Sequence, residues 1–244
     1  SANTVINAVI TGDGSIYKGD NNDGSSENFQ LLLSGDNSFT GGVFLDEGRI
    51  AITHVNALGT GLVTLSDGPS GAGNTNQDPI LDFDLPDGFT VSNDIQIGAF
   101  NGSKILRYEI PGAGNTGTLT GTLNVLEPSN IGFRVIAGTG EILQLAGLVT
   151  GPGGVVGDGP GTVRLTNAAN DFTGSIGVRD GVTEVASIAN SGVASHAGAG
   201  SLITLGQADV GSGVFSFTGT GGGQTTHPQA QGGGPRRLGN NNTG

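Results

Sequence analysis

Asp82 and Asp84 alternate within Leu81-Asp82-Phe83-Asp84-Leu85, and Arg107 and Arg134 follow further along the chain. Paired carboxylates can share general acid and base work on a polysaccharide, and a carboxylate-bound cation with an arginine base is a second route. No adjacent Asp-Asp pair, Gly-His-Gly or Arg-x-Lys triplet accompanies them. The same alternation is also what the outward row of a strand looks like. A protein that is not an enzyme is expected, with no catalytic residue assigned.

Asp20-Asn21-Asn22-Asp23-Gly24 invites a calcium-loop reading, but counting back from Gly24 as the sixth position puts Gly19 where the first carboxylate belongs. A solvated turn fits better. Asp13, Asp20, Asp23 and Glu27 stay as weak cation candidates. His54, His196 and His227 lie far apart and lack partners two or four residues away, so a zinc site is not expected. The chain has no cysteine, which excludes disulfides, thiolate metal sites and a cysteine nucleophile. No Gly-x-Ser-x-Gly elbow is present, and no cofactor is expected.

The elements that must position any site are read from composition and period. Of 244 residues 48 are glycine and 9 proline, with no tryptophan or methionine and a formal net charge of −12. That charge repels phosphate backbones and anionic lipid, so nucleic acid and membrane surfaces are poor partners. Polar residues interrupt each apolar stretch long before the ~18 needed for a spanning helix. Helical periodicity is absent, whereas Thr4 to Ile10, Phe29 to Leu33, Gly48 to Thr53, Ile80 to Leu85 and Thr118 to Leu123 read as short β runs. Asp-Gly, Asn-Gly and Pro-Gly pairs between them supply turns. The chain is all-β.

Self-comparison is more informative. Asn37-Ser38-Phe39-Thr40-Gly41 returns as Asn170-Asp171-Phe172-Thr173-Gly174, and Leu32 to Leu165, Leu45 to Val178 and Gly48 to Gly181 keep the same offset. Val9 to Ile16 answers to Leu148 to Val155, which places a six-residue insertion within Gly19 to Asn28. Asn37, Phe39, Gly41, Asn170, Phe172 and Gly174 are therefore the repeat corners. Residues 1–140 form a first repeat unit and 141–244 a second, truncated one, in one continuous solenoid.

Five-residue strands bury too little to stand alone, and they gain stability by hydrogen-bonding to equivalents above and below. A right-handed parallel β-solenoid (β-helix) of about eleven coils of ~22 residues follows, ~50 Å long at ~4.8 Å per coil. The rival is an antiparallel sandwich, for whose hairpin spacing the long, irregular repeat from Asn37 to Asn170 is unsuited. That repeat unit would occupy about six coils.

Leu33 to Ile50, followed by Asn56-Ala57-Leu58-Gly59 and Val63-Thr64-Leu65, resembles the autotransporter-associated β-strand repeat family, whose pattern is a leucine strand, Gly-x-Asn-x-Tyr/Phe-Thr-Gly, a valine strand and x-Gly-x-Leu. The second copy departs from it: Asn167 and Ala168 replace Ser-Gly, and Thr183-Glu184-Val185 replaces the small-residue strand. The resemblance implies a bacterial, secreted or surface-exposed β-helix, one segment of a long repetitive protein, and no particular activity. Solenoid ends need caps, yet Thr4, Val5, Ile6, Ala8, Val9 and Ile10 open the chain on an apolar strand. Head-to-tail pairing into a homopolymer through these residues is one expectation, making the chain a structural segment of an extracellular fibre, stalk or surface layer. The other is an adhesin passenger that binds glycan or protein through its loops, for which Tyr17, Tyr108 or a phenylalanine-lined groove would be the mark.

Overall fold

The structure, a computed structural model, describes residues 3–19, 30–65, 78–99, 103–110, 114–127, 133–205 and 213–219, with the backbone of 229–231 and 238–240. Every strand pair among them is parallel. The strands form a ten-stranded, a seven-stranded and a six-stranded sheet, which are the three faces of a prism. In the central coils the chain visits them in a fixed order. Ile80–Phe83 lies on the ten-stranded face, Thr90–Val91 on the seven-stranded, Ile95–Ile97 on the six-stranded, and Lys104–Tyr108 returns to the first. This is the expected parallel β-solenoid.

Period-two alternation decides what each strand buries. In Gln30–Leu33, Thr162–Leu165 and Leu202–Leu205 alternate residues point inward and are buried. Leu33, Ile52, Phe83, Leu106, Val135 and Val163 line the core with their neighbours from the other faces. Inside it Phe83 and Phe89 stack with ring centroids 5.8 Å apart, and Tyr108 meets Phe89 edge to face at 5.0 Å. The ten-stranded sheet counts ten coils among the described residues where about eleven were expected. The cause is coil length: the coil from Gln30 to Arg49 is short, but those from Arg49 to Ile80, from Lys104 to Phe133 and from Ile176 to Ile203 are longer than expected. Loops absorb the difference while the strands stay in register.

The two repeat copies do not sit on the same faces. Gln30–Leu33 is on the ten-stranded face and Val43–Leu45 on the six-stranded, whereas their counterparts Thr162–Leu165 and Ile176–Val178 are on the seven-stranded and ten-stranded faces. The second copy is thus turned by one face about the axis. Residues 37–41 occupy the side that later carries the seven-stranded sheet, and 170–174 the side where the six-stranded sheet ends at Val149–Thr150. The repeat unit spans five coils and one further face, not six coils. The ten-stranded sheet runs unbroken past residue 140, from Phe133–Ala137 to Val155–Asp158.

Candidate functional site

The repeat corners are built alike. Asn37 is buried; its Oδ1 accepts the Ile10 N–H from the coil before at 2.8 Å, and its Nδ2 donates to the Ala57 carbonyl of the coil after at 2.7 Å. Asn170 accepts from Val149 N–H at 2.9 Å and donates to the His196 carbonyl at 3.1 Å. A corner that leaves the β ladder orphans backbone groups, and the asparagine amide, donor and acceptor at once, satisfies one on each side. Phe39 and Phe172 are buried in the core beneath these corners. Gly41 and Gly174 pass so close to the preceding coil that a Cβ would stand 2.6 Å from the Gly14 and Gly153 carbonyl oxygens.

The outward row of the ten-stranded face carries most of the described basic groups. Asp82, read from the sequence as solvent-facing beside Asp84, is only 2% exposed, while Asp84 is half-buried. Arg107 binds Asp82 through two bonds, Nε to Oδ1 at 2.6 Å and Nη2 to Oδ2 at 3.1 Å, and Arg49 reaches the same carboxylate from the other side. Asp158 is likewise flanked, by Arg134 Nη1 at 3.1 Å and Arg179 Nη1 at 3.5 Å. The sequence alone does not place these groups together, because the coils that juxtapose them differ in length. Ile80 and Ile105 stand between Arg49 and Arg134 in register and are buried on this outer side, outside the core cluster.

The cation candidates are not brought together. Asp13 is exposed, Asp20, Asp23 and Glu27 lie outside the described residues, and among the described residues no three metal-binding side chains cluster. His54 lies 3.8 Å from Asp36, and His196 Nδ1 is 2.6 Å from Ser187 Oγ. That hydroxyl also accepts the His196 backbone N–H, so the pair closes the 187–196 loop beneath the second corner.

Of the two tyrosines, Tyr108 is fully buried, which removes it as a surface platform. Burial, then the charges of Glu141 and Asp87, push its phenol up to about 12, and its hydroxyl has no hydrogen-bond partner among the described residues. Tyr17 is half exposed on the six-stranded face, in register with Phe44, with its hydroxyl on the Asp46 carboxylate. Asn56, Gly59, Thr60, Gly61, Leu62, Ser92, Asn93 and Asp94 line a cleft of about 210 Å³, where Asn93 Nδ2 donates to the Gly59 and Gly61 carbonyls.

Thr4–Ile6 pairs with Gln30–Leu33 along one edge, and its other edge carries no strand among the described residues. Val5 and Val9 are 51% and 61% exposed; Ile6 and Ile10 pack partly against the core, and Thr4 and Ala8 are exposed. No helix among the described residues is long and apolar enough to cross a membrane.

No family model and no solved structure matches the chain. It is similar to the adhesin BmaC autotransporter of Brucella suis biovar 1 (strain 1330), with 29% identity over 194 residues. The match covers 78% of this chain and 5% of that protein, so the chain spans about one twentieth of the length of the curated relative it matches.

Proposed function

We propose that the chain is a segment of a bacterial surface adhesin passenger: a non-catalytic β-solenoid rod of autotransporter-associated repeat type, which holds adhesive loops and faces away from the cell. The observation that carries this reading is the unbroken parallel stack of ten strands joined by coils of unequal length, a rigid axis that tolerates surface insertions. The likeness to an autotransporter adhesin supports it. The test is display of this chain on a non-adherent bacterium. Adhesion to animal cells or extracellular matrix should rise above that of the undecorated strain, and equal adhesion overturns the proposal.

A further inference from the structure

Along the outer side of the ten-stranded face, six consecutive coils line up Arg49, Asp82, Arg107, Arg134, Asp158 and Arg179 in that order. Two Arg-Asp-Arg trios follow each other along the axis. Where they meet, Arg107 and Arg134 sit on adjacent strands, in register with Ile136 and Ile105, so two guanidinium groups are diagonal neighbours. Like charges so placed repel unless an anion lies between or above them. Glu109, 3.7 Å from Arg107 Nε, flanks the first trio, and its side chain is 45% exposed.

The second trio has donors to spare. Arg134 and Arg179 both reach the same oxygen, Asp158 Oδ2, while Oδ1 accepts the Gly159 N–H. A guanidinium has five N–H donors, and these two side chains remain 18% and 26% exposed. The stripe is out of character for a chain of net charge −12: four arginines stand here against Asp82, Asp84, Asp158 and Glu109, a balanced strip on an acidic protein.

We propose that this stripe binds a linear anionic polysaccharide laid along the solenoid axis, with its carboxylate or sulfate groups held in succession by Arg107, Arg134 and Arg179. Guanidinium groups suit both anions, because their planar fork can donate two parallel hydrogen bonds to one carboxylate or sulfate. Parallel coils repeat about every 4.8 Å, so Arg134 and Arg179, two coils apart, are spaced on the order of 10 Å, within the reach of a sugar polymer bearing one anion every residue or two. The acidic remainder of the surface confines such a polymer to the stripe. This names a ligand class for the adhesive reading and rests on it.

The probes are heparin for sulfate and polygalacturonate for carboxylate, titrated calorimetrically into the purified chain at low and physiological salt. Binding to at least one is expected, weakening as salt rises. The Arg134→Gln/Arg179→Gln variant should lose affinity at least tenfold, and Glu109→Gln, at an exposed acid that competes for Arg107, should gain about threefold. An Arg164→Gln control on the seven-stranded face should leave binding unchanged. No binding of either probe, or a folded Arg134→Gln/Arg179→Gln variant that binds like the parent, overturns the proposal. Should that variant fail to fold, an unchanged affinity in Glu109→Gln does the same, as does a salt-sensitive dimer in sedimentation that occupies the stripe in place of the probes. Adhesion by the displayed chain to cells stripped enzymatically of acidic glycans, equal to that on untreated cells, sinks the polysaccharide alone. Adhesion to neither sinks the adhesive reading.

Discussion

Asn37 and Asn170 make the same bridge on different faces of the prism: each takes a backbone N–H from the coil before and gives its amide N–H to a carbonyl of the coil after. The amide is therefore a rung that joins three successive coils at a point where the β ladder is interrupted.

Replacing either asparagine by alanine leaves two backbone groups without partners. Each variant should lose roughly 1–3 kcal/mol of unfolding free energy in urea titrations. Asn170→Ala should fall at the upper end, since both Asn170 and its partner Val149 are fully buried, whereas Ile10 is only partly so. Equal stability of Asn170→Ala and the parent would show that water replaces the bridge.

The phenylalanine of each corner sits under a glycine of the next coil. Gly59 has φ +66° and Gly198 φ +81°, and a Cβ there would lie 2.9 and 2.6 Å from the Phe39 and Phe172 rings. Gly198→Ala should destabilise by ~1–3 kcal/mol through strained backbone and overpacking. A Phe172→Leu change that makes room should recover part of the loss in the double variant, and additive losses would count against the packing argument.

Lys104 is fully buried, with its Nζ 3.1 Å from Glu127 Oε2. Removing one partner takes this ion pair from the other's buried charge, so Lys104→Met or Glu127→Leu alone should cost ~3–5 kcal/mol. The Lys104→Met/Glu127→Leu pair should cost much less than the sum, which a thermal-melting double-mutant cycle measures.

Glu141 is held above the ordinary carboxylate range, first by burial and further by Glu109, while hydrogen bonds from the Ile110 and Gly138 N–H groups pull the other way. A carboxyl raised in the fold binds its proton more tightly there than in the unfolded chain. Its contribution is fully present below the unfolded value near 4.5 and is lost as pH rises through the folded value. Denaturation midpoints of the parent, corrected by those of Glu141→Gln, should therefore fall as pH rises through that window. A flat difference between the two proteins would refute the assignment.

The all-β class, the inward and outward rows of each strand and the pairing of the two Asn-x-Phe-Thr-Gly corners were legible in the residues, because period-two alternation and repeated corner chemistry are local properties. The partnering of Asp82 with Arg49 and Arg107 was not, since neighbours across coils are set by loop lengths that vary from one turn to the next. A strand's own pattern says which side faces the core and nothing about which strand lies above it.

The order of residue types required that like strands stack and that asparagine, phenylalanine and glycine recur where they bend. Folding in three dimensions settled that the second copy is turned by one face, since the chain between the two corners winds through five coils and one side more. It also settled that arginines scattered from Arg49 to Arg179 form one stripe, because hydrogen bonding along the axis brings residues a whole coil apart in the chain within a strand spacing of each other.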